Sequence, residues 1–361
     1  MLKQQKIFFD FLRFCIGSAK DIPDSLKEAD WNELYAIAKK QCLVGVLFDG
    51  IKKLPVEQVG MKKELLLQWM AESQMLEKAN VRLNDAAILV SEWFRKKGFR
   101  TCILKGQGNA LMYPNPFSRT PGDIDIWVEG GDKRVISFVR SISPHEKACY
   151  HHIEFPSYKG VEVEVHYRPS FLLCFWHNRK LQEYYERVKE EQFSHRVMLG
   201  EQGEVAIPAA EFNVIFQLTH IFSHLMNEGI GLRQLVDYYY VISMLSVNCE
   251  MLTSLQKGLK DLGLLKFAGA IMYIMKEVFG MPTSRLIVPP NEKYGRFVLN
   301  EVLEAGNFGK HDARNRFGKS QFGHNLQRVY RDIRLVRYYP AEALSEPIFR
   351  TWHFFWRLRH K

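Results

Sequence analysis

The chain has 361 residues, of which 47% are hydrophobic, 13% aromatic and 25% charged. That is the balance of a folded globular protein of about two or three domains, and it excludes disorder over most of the length. Fifty Lys and Arg against 40 Asp and Glu give a net charge of +10, which favours anionic ligands without choosing among nucleotides, RNA and lipid headgroups.

Up to about Lys97 apolar residues recur at helical spacing: Phe8, Phe9 and Leu12, then Trp31, Leu34, Tyr35 and Ala38, then a long run over 62–97. Residues 1–97 therefore read as an N-terminal helical segment. Asp10 and Arg13 interrupt the stretch from Ile7 to Ala19 where a signal peptide would be unbroken. Apolar runs such as Phe267 to Met275 fall short of the roughly 18 residues of a spanning helix. A cytoplasmic protein with no transmembrane segment is expected. At Gly98 the period changes. Thr101 to Leu104 reads as a strand, Gln107 to Met112 as a short helix and Gly122 to Val128 as an alternating strand. Asp132 can cap a helix carrying Val135, Phe138, Val139 and Ile142. Tyr150 to Phe155 and Val161 to Tyr167 then form two strands joined by a turn from Pro156 to Gly160. The order β-α-β-α-β-β predicts an α+β fold, with a compact mixed-sheet core over 98–205. Beyond Pro208 the helical period returns through 211–226, 231–247 and 251–279, followed by a basic helical end, so 206–361 reads as a C-terminal helical domain. Cys15, Cys42, Cys102, Cys149, Cys174 and Cys249 stand singly and read as small core hydrophobes.

Asp123 and Asp125 lie two apart in this core. On a strand that spacing puts both carboxylates on one face and Ile124, Ile126 and Val128 on the other. Two convergent carboxylates repel unless a cation sits between them, and magnesium is the usual one. By the same reasoning, neutralising either acid is expected to leave the fold intact. A bare D-x-D is also compatible with a solvated edge strand. A later strand supplies a third acid, with Glu162, Glu164 and His166 alternating with Val161, Val163 and Val165. Upstream, Lys105-Gly106-Gln107 ends the first strand, and a glycine there lets phosphate oxygens approach backbone amides.

The stretch LKGQGNALMYPNPFSRTPGDIDIWV, followed by VEVEVHYRP, resembles the nucleotidyltransferase superfamily of the DNA polymerase β type, and most of all its uncharacterised bacterial nucleotidyltransferase branch. The resemblance is specific from about Arg100 to Pro169. It implies a nucleotidyltransferase-type mixed sheet flanked by helices, two Mg2+ ions, and transfer of a nucleoside monophosphate from an NTP to a hydroxyl of an unidentified acceptor with loss of pyrophosphate. By motif position Asp123 and Asp125 take the place of the metal-binding pair, Glu164 that of the third carboxylate, and Gly106 that of the phosphate-turn glycine. The residues alone leave Glu162 and Glu164 equivalent, since both point to the same face. Members commonly carry Gly-Ser in the turn, whereas here Gly106 precedes Gln107. A cation, Lys105 or Arg119, is expected to replace the missing hydroxyl contact to phosphate.

Other candidates are weaker. Asn213, Gln217, His220, His224 and Asn227 form a polar helical stripe. His220 and His224 have metal-ligand spacing but lack the glutamate of a zinc protease motif. Arg233 and Asp237 read as a helix-surface ion pair, with Arg233 reaching the substrate as the alternative. His151 and His152 receive no role. From Lys310 to Lys361, 12 Lys or Arg stand against four acids, and the aromatics among them suit nucleic acid as well as a solvated face. Two other functions compete with nucleotidyl transfer. One is a D-x-D glycosyltransferase, disfavoured because the residues before the motif are helical. The other is a nucleotidyltransferase-fold binding module that keeps the acids and serves a nucleic-acid or protein partner.

Overall fold

The computed structural model describes residues 3–55, 60–201, 203–246, 248–312, 314 and 321–360. Helix α1 (Lys3–Cys15) buries Phe8, Phe11 and Leu12 against α2 (Trp31–Lys40) and α3 (Val44–Ile51). Asp30 caps α2 by accepting from the amides of Asn32 and Glu33. The long α4 (Lys63–Lys96) then joins two cores. Near its start Trp69 is fully buried and donates to the Val44 carbonyl at 2.9 Å, while Leu83, Ala86, Ala87, Val90 and Phe94 pack beneath the sheet.

Four strands form that sheet: β1 (Thr101–Ile103), β2 (Ile124–Val128), β3 (His152–Tyr158) and β4 (Val161–His166), in the order β1-β2-β4-β3. A four-residue helix α5 (Gln107–Ala110) follows β1, and α6 (Gly131–Ile142) follows β2. The chain order is thus the β-α-β-α-β-β expected. β2 runs antiparallel to β1 and parallel to β4, with Asp125 opposite Glu164. Every residue of β2 is buried, so a solvated edge strand is ruled out. Ile124, Ile126 and Val128 join Val163 and Val165 in one core, while Trp127 points the other way and packs on Phe193 and Phe212. Helix α6 starts ahead of Asp132: Gly130 is the N-cap, and Asp132 pairs with Arg168 at 2.8 Å.

Three features go beyond the sequence reading. Helix α7 (Phe175–Ser194) and a hairpin of β5 (Arg196–Leu199) and β6 (Gly203–Ala206) lie between the sheet and the helical half. After α8 (Ala210–Asn227) and α9 (Leu232–Ser243), the helix expected over 251–279 is two, α10 (Cys249–Asp261) and α11 (Leu265–Glu277). The break falls at Gly263, whose φ is +69° and where a Cβ would sit 2.3 Å from the His177 ring, so only glycine fits. Helices α12 (Glu292–Ala305), α13 (Gln321–Val336) and α14 (Pro340–Arg359) complete the chain. Glu342 of α14 docks this end by accepting from the Leu173 and Cys174 amides at 2.7 and 3.2 Å, at the start of α7. Cys15 and Cys102 are core residues as expected, but Cys249 is exposed. Of the basic residues at the end, Arg316, Lys319 and Lys361 lie outside the described residues. Among the described residues no helix is long and apolar enough to cross a membrane.

Candidate active site

A cleft of about 890 Å³ opens between the sheet and the helices α8, α9, α13 and α14. Its floor is the carboxylate group of the sheet. Asp125 points out of β2, Asp123 sits just before that strand, and Glu164 lies opposite Asp125 on β4. Ligand oxygens of the three lie within 4.8 Å of one another. Glu162 is exposed at the cleft wall and is not in this cluster.

The acids differ in their surroundings. Asp125 is 2% exposed. One of its oxygens meets His166 Nε2 at 2.9 Å and Lys105 Nζ at 3.1 Å, while Oδ2 is buried with no hydrogen-bond partner. Burial alone would raise its proton affinity, but Lys105 and His166 outweigh burial and hold it well below the usual carboxylate range. Asp123 has no such partner, and the charge of Asp125 together with burial pushes it up to about 6. The geometry argues against the expectation that neutralising Asp125 spares the fold, because this carboxylate is the counter-charge of two buried cations. Glu164 meets His152 and His166, each at 3.4 Å, and is held low against the effect of burial by its hydrogen bond to His166.

Histidines surround the acids, His151, His152 and His166 from the sheet side and His220 and His224 from α8. His166 Nε2 faces Asp125 and Nδ1 faces the Arg168 carbonyl at 3.3 Å. Both ring nitrogens meet acceptors, so both donate, which is the imidazolium form. Burial opposes that charge, but the bonds to Asp125 and Glu164 prevail and raise His166 to about 9. His152 is lowered to about 4, by burial first and then by His166, and stays neutral. His151 stacks edge-on against it. These two residues, given no role from sequence, belong to the cleft, and the only local signal was their place at the start of a strand. His220 and His224 face each other Nε2 to Nε2 at 3.1 Å, and His220 also meets Lys105 Nζ at 3.1 Å.

The expected phosphate ligands are placed less uniformly. Gly106 adopts φ +62°, ψ −105°, a conformation for glycine, and a Cβ there would sit 3.7 Å from the Asp123 carbonyl oxygen. Lys105 is at the site, held by Asp125 and His220. Gln107 turns away and bonds Asn84 and the Asn80 carbonyl of α4. Arg119 is also withdrawn: it is 4% exposed and grips Asp237 through Nε and Nη2, both at 2.8 Å. This corrects the placing of Arg119 beside phosphate and the reading of Arg233 and Asp237 as a surface pair. Asp237 is buried and belongs to Arg119, while Arg233 lines the cleft. Lys310, Arg328 and Arg350 of the basic end also reach the cleft wall, whereas Arg314 and Arg334 are tied to Glu301.

Three acids with one buried oxygen unsatisfied are a donor set suited to a hard divalent cation. A second cavity of about 320 Å³ between α7 and α10 holds no such cluster among the described residues.

No curated protein matches the chain. Among solved structures, an antigenic nucleotidyltransferase-like protein from Paracoccidioides brasiliensis aligns at 16% identity with a TM-score of 0.34, over 59% of this chain and 96% of that one. A family described as uncharacterised nucleotidyltransferase matches residues 27–280, a span that includes all three carboxylates. The chain belongs to that uncharacterised nucleotidyltransferase family.

Proposed function

We propose that this protein is a divalent-metal-dependent enzyme of the polymerase β type, which transfers a nucleoside monophosphate from an NTP to a hydroxyl of an acceptor and releases pyrophosphate. The observation that supports this most is the convergence of Asp123, Asp125 and Glu164 within 4.8 Å in a large cleft. Asp123 and Asp125 would hold Mg2+, two ions in all, with Glu164 completing the set. When bound, the metal neutralises triphosphate charge and stabilises the entering and leaving oxygens.

The chain's own residues prepare the site. Lys105 and His166 keep Asp125 ionised and fix its direction. Glu164, kept ionised beside His166 and His152, accepts the proton of an incoming hydroxyl. The Gly106 turn, at a positive φ that favours glycine, carries the chain from β1 into α5 beside Asp123. Calorimetric titration with a non-hydrolysable NTP, with and without Mg2+, tests the reading together with pyrophosphate release from each NTP in cell extract. Binding should require Mg2+, and Asp123→Asn should abolish release. Nucleotide binding indifferent both to Mg2+ and to Asp123→Asn would overturn the assignment.

A further inference from the structure

Around α9 there are two arginines for one aspartate. Arg119 occupies both oxygens of Asp237, and the Tyr113 hydroxyl donates to one of them at 2.6 Å. Arg233, one turn before Asp237, is 7% exposed, yet among the described residues it makes no ion pair. Its Nη1 donates to the Thr120 carbonyl at 3.0 Å, and its Nε is buried without a partner. The Phe308 ring lies 5.7 Å from the guanidinium. Arginine does not shed its proton in proteins, so a buried guanidinium without an ion pair of its own remains a cation. Burial and the neighbouring charge of Arg119 weigh against that cation more than Asp237 supports it.

The position of this cation gives it a use. Arg233 lines the cleft, and Nη1 is 3.8 Å from the point where a side chain on Gly122 would begin, one residue before Asp123. A planar fork of donors is the shape that binds two oxygens of a phosphoryl group. Lys105 and Arg119 are engaged, Lys105 by Asp125 and His220 and Arg119 by Asp237, while Lys310 and Arg328 reach the cleft wall from the basic end of the chain.

We propose that Arg233 is the phosphate-binding residue of the cleft, its guanidinium receiving oxygens of the nucleotide's polyphosphate. The inference rests on the nucleotidyl-transfer reading for the identity of the ligand, and on the geometry alone for its phosphate chemistry.

The test compares the parent with Arg233→Met and Arg233→Lys. Melting is followed in Mg2+ with and without inorganic tripolyphosphate, and a non-hydrolysable NTP is titrated calorimetrically. The parent should be stabilised by tripolyphosphate. Arg233→Met should melt at or above the parent without ligand, because an uncompensated buried charge is gone. It should also lose the tripolyphosphate response and bind the NTP roughly 10- to 100-fold more weakly, as expected for losing hydrogen bonds to a charged group. Arg233→Lys, keeping charge without the fork, should fall between. A parent indifferent to tripolyphosphate, or a Met variant that responds as the parent does, overturns the proposal. So does a Met variant that melts far below the parent, since the guanidinium would then serve the fold. If tripolyphosphate binds through Arg233 but no NTP binds more tightly and none is consumed, the function reading fails while this one stands. If NTP binding needs Mg2+ and Asp123 but not Arg233, the reverse holds.

Discussion

Asp123 and Asp125 look interchangeable in sequence, and the structure predicts that neutralising them moves stability in opposite directions. Asp123→Asn removes a charge that Asp125 and burial have lifted to about 6. At about 1.4 kcal/mol for each tenfold change in proton affinity, the ionised carboxylate costs the fold on the order of 2–3 kcal/mol at pH 7. The native state holds that proton more tightly than the unfolded chain, so the parent loses stability as pH rises from about 4 to about 6. The advantage of the Asp123→Asn variant should grow over that window and level off above it. Asp125→Asn instead strips the counter-charge from Lys105 and His166, 3.1 and 2.9 Å away, at a site 2% exposed. Breaking a buried pair from one side costs about 3–5 kcal/mol, moderated here by the amide oxygen that can still accept from His166. Urea unfolding at pH 7 in chelator should place Asp123→Asn above the parent and Asp125→Asn below it. An Asp125→Asn protein as stable as the parent would refute the claim that Lys105 and His166 depend on that carboxylate.

Arg119→Met should destabilise the protein by about 3–5 kcal/mol in the same assay, since it takes the ion pair from buried Asp237 and leaves it only the Tyr113 hydroxyl and the nearby Arg233 charge. Nucleotide affinity of the folded fraction should be unchanged, and a selective loss of affinity would return Arg119 to the phosphate site. In the C-terminal helix pair, burial and Glu346 lift Asp332 to about 7. Protonated Asp332 therefore supports the packing of α13 on α14 below about pH 4, and that support is lost as pH rises towards 7. Asp332→Asn should match the parent near pH 4 and exceed it by a margin that widens up to about pH 7 in hydrogen exchange of α13 amides; parallel pH profiles would remove Asp332 as the cause.

The acids were legible because their signal is local. A strand of period two sorts Asp125 from Ile124 and Ile126 whatever lies around it, and register then sets Glu164 beside it. What the sequence hid depends on distance along the chain. Arg119 meets Asp237 across 118 positions, and nothing near either residue shows that Asp237 would choose it over Arg233, its neighbour one turn away. His151 and His152 gain their surroundings only when β3 pairs with β4 and His166 arrives opposite His152. The β5 and β6 strands are four residues each, too short for alternation to declare itself. The α10–α11 break was hidden for another reason: a lone glycine is tolerated in helices, and only the fold shows that Gly263 takes a positive φ and that the His177 ring from α7 fills the place of a side chain.

The same division separates the two sides of the cleft. Ile126 and Val163, flanking the acids, belong to the core beneath the sheet, whereas Leu235 and Tyr238, next to Arg233 on α9, belong to the core that the N- and C-terminal helices share. The two cores are separate clusters of side chains, joined through α4. The acids carry a repulsion that Lys105 and His166 offset only in part, and Arg233 carries a charge that Asp237, already gripped by Arg119, answers only in part. A ligand with metal-binding oxygens at one end and free phosphate oxygens at the other would relieve both at once. Because it binds only when the two cores are correctly apposed, it would stabilise their junction by mass action, more strongly as its concentration rises above its dissociation constant. The cost of holding these groups in the fold and the affinity of the cleft for its ligand are therefore set by the same few charges.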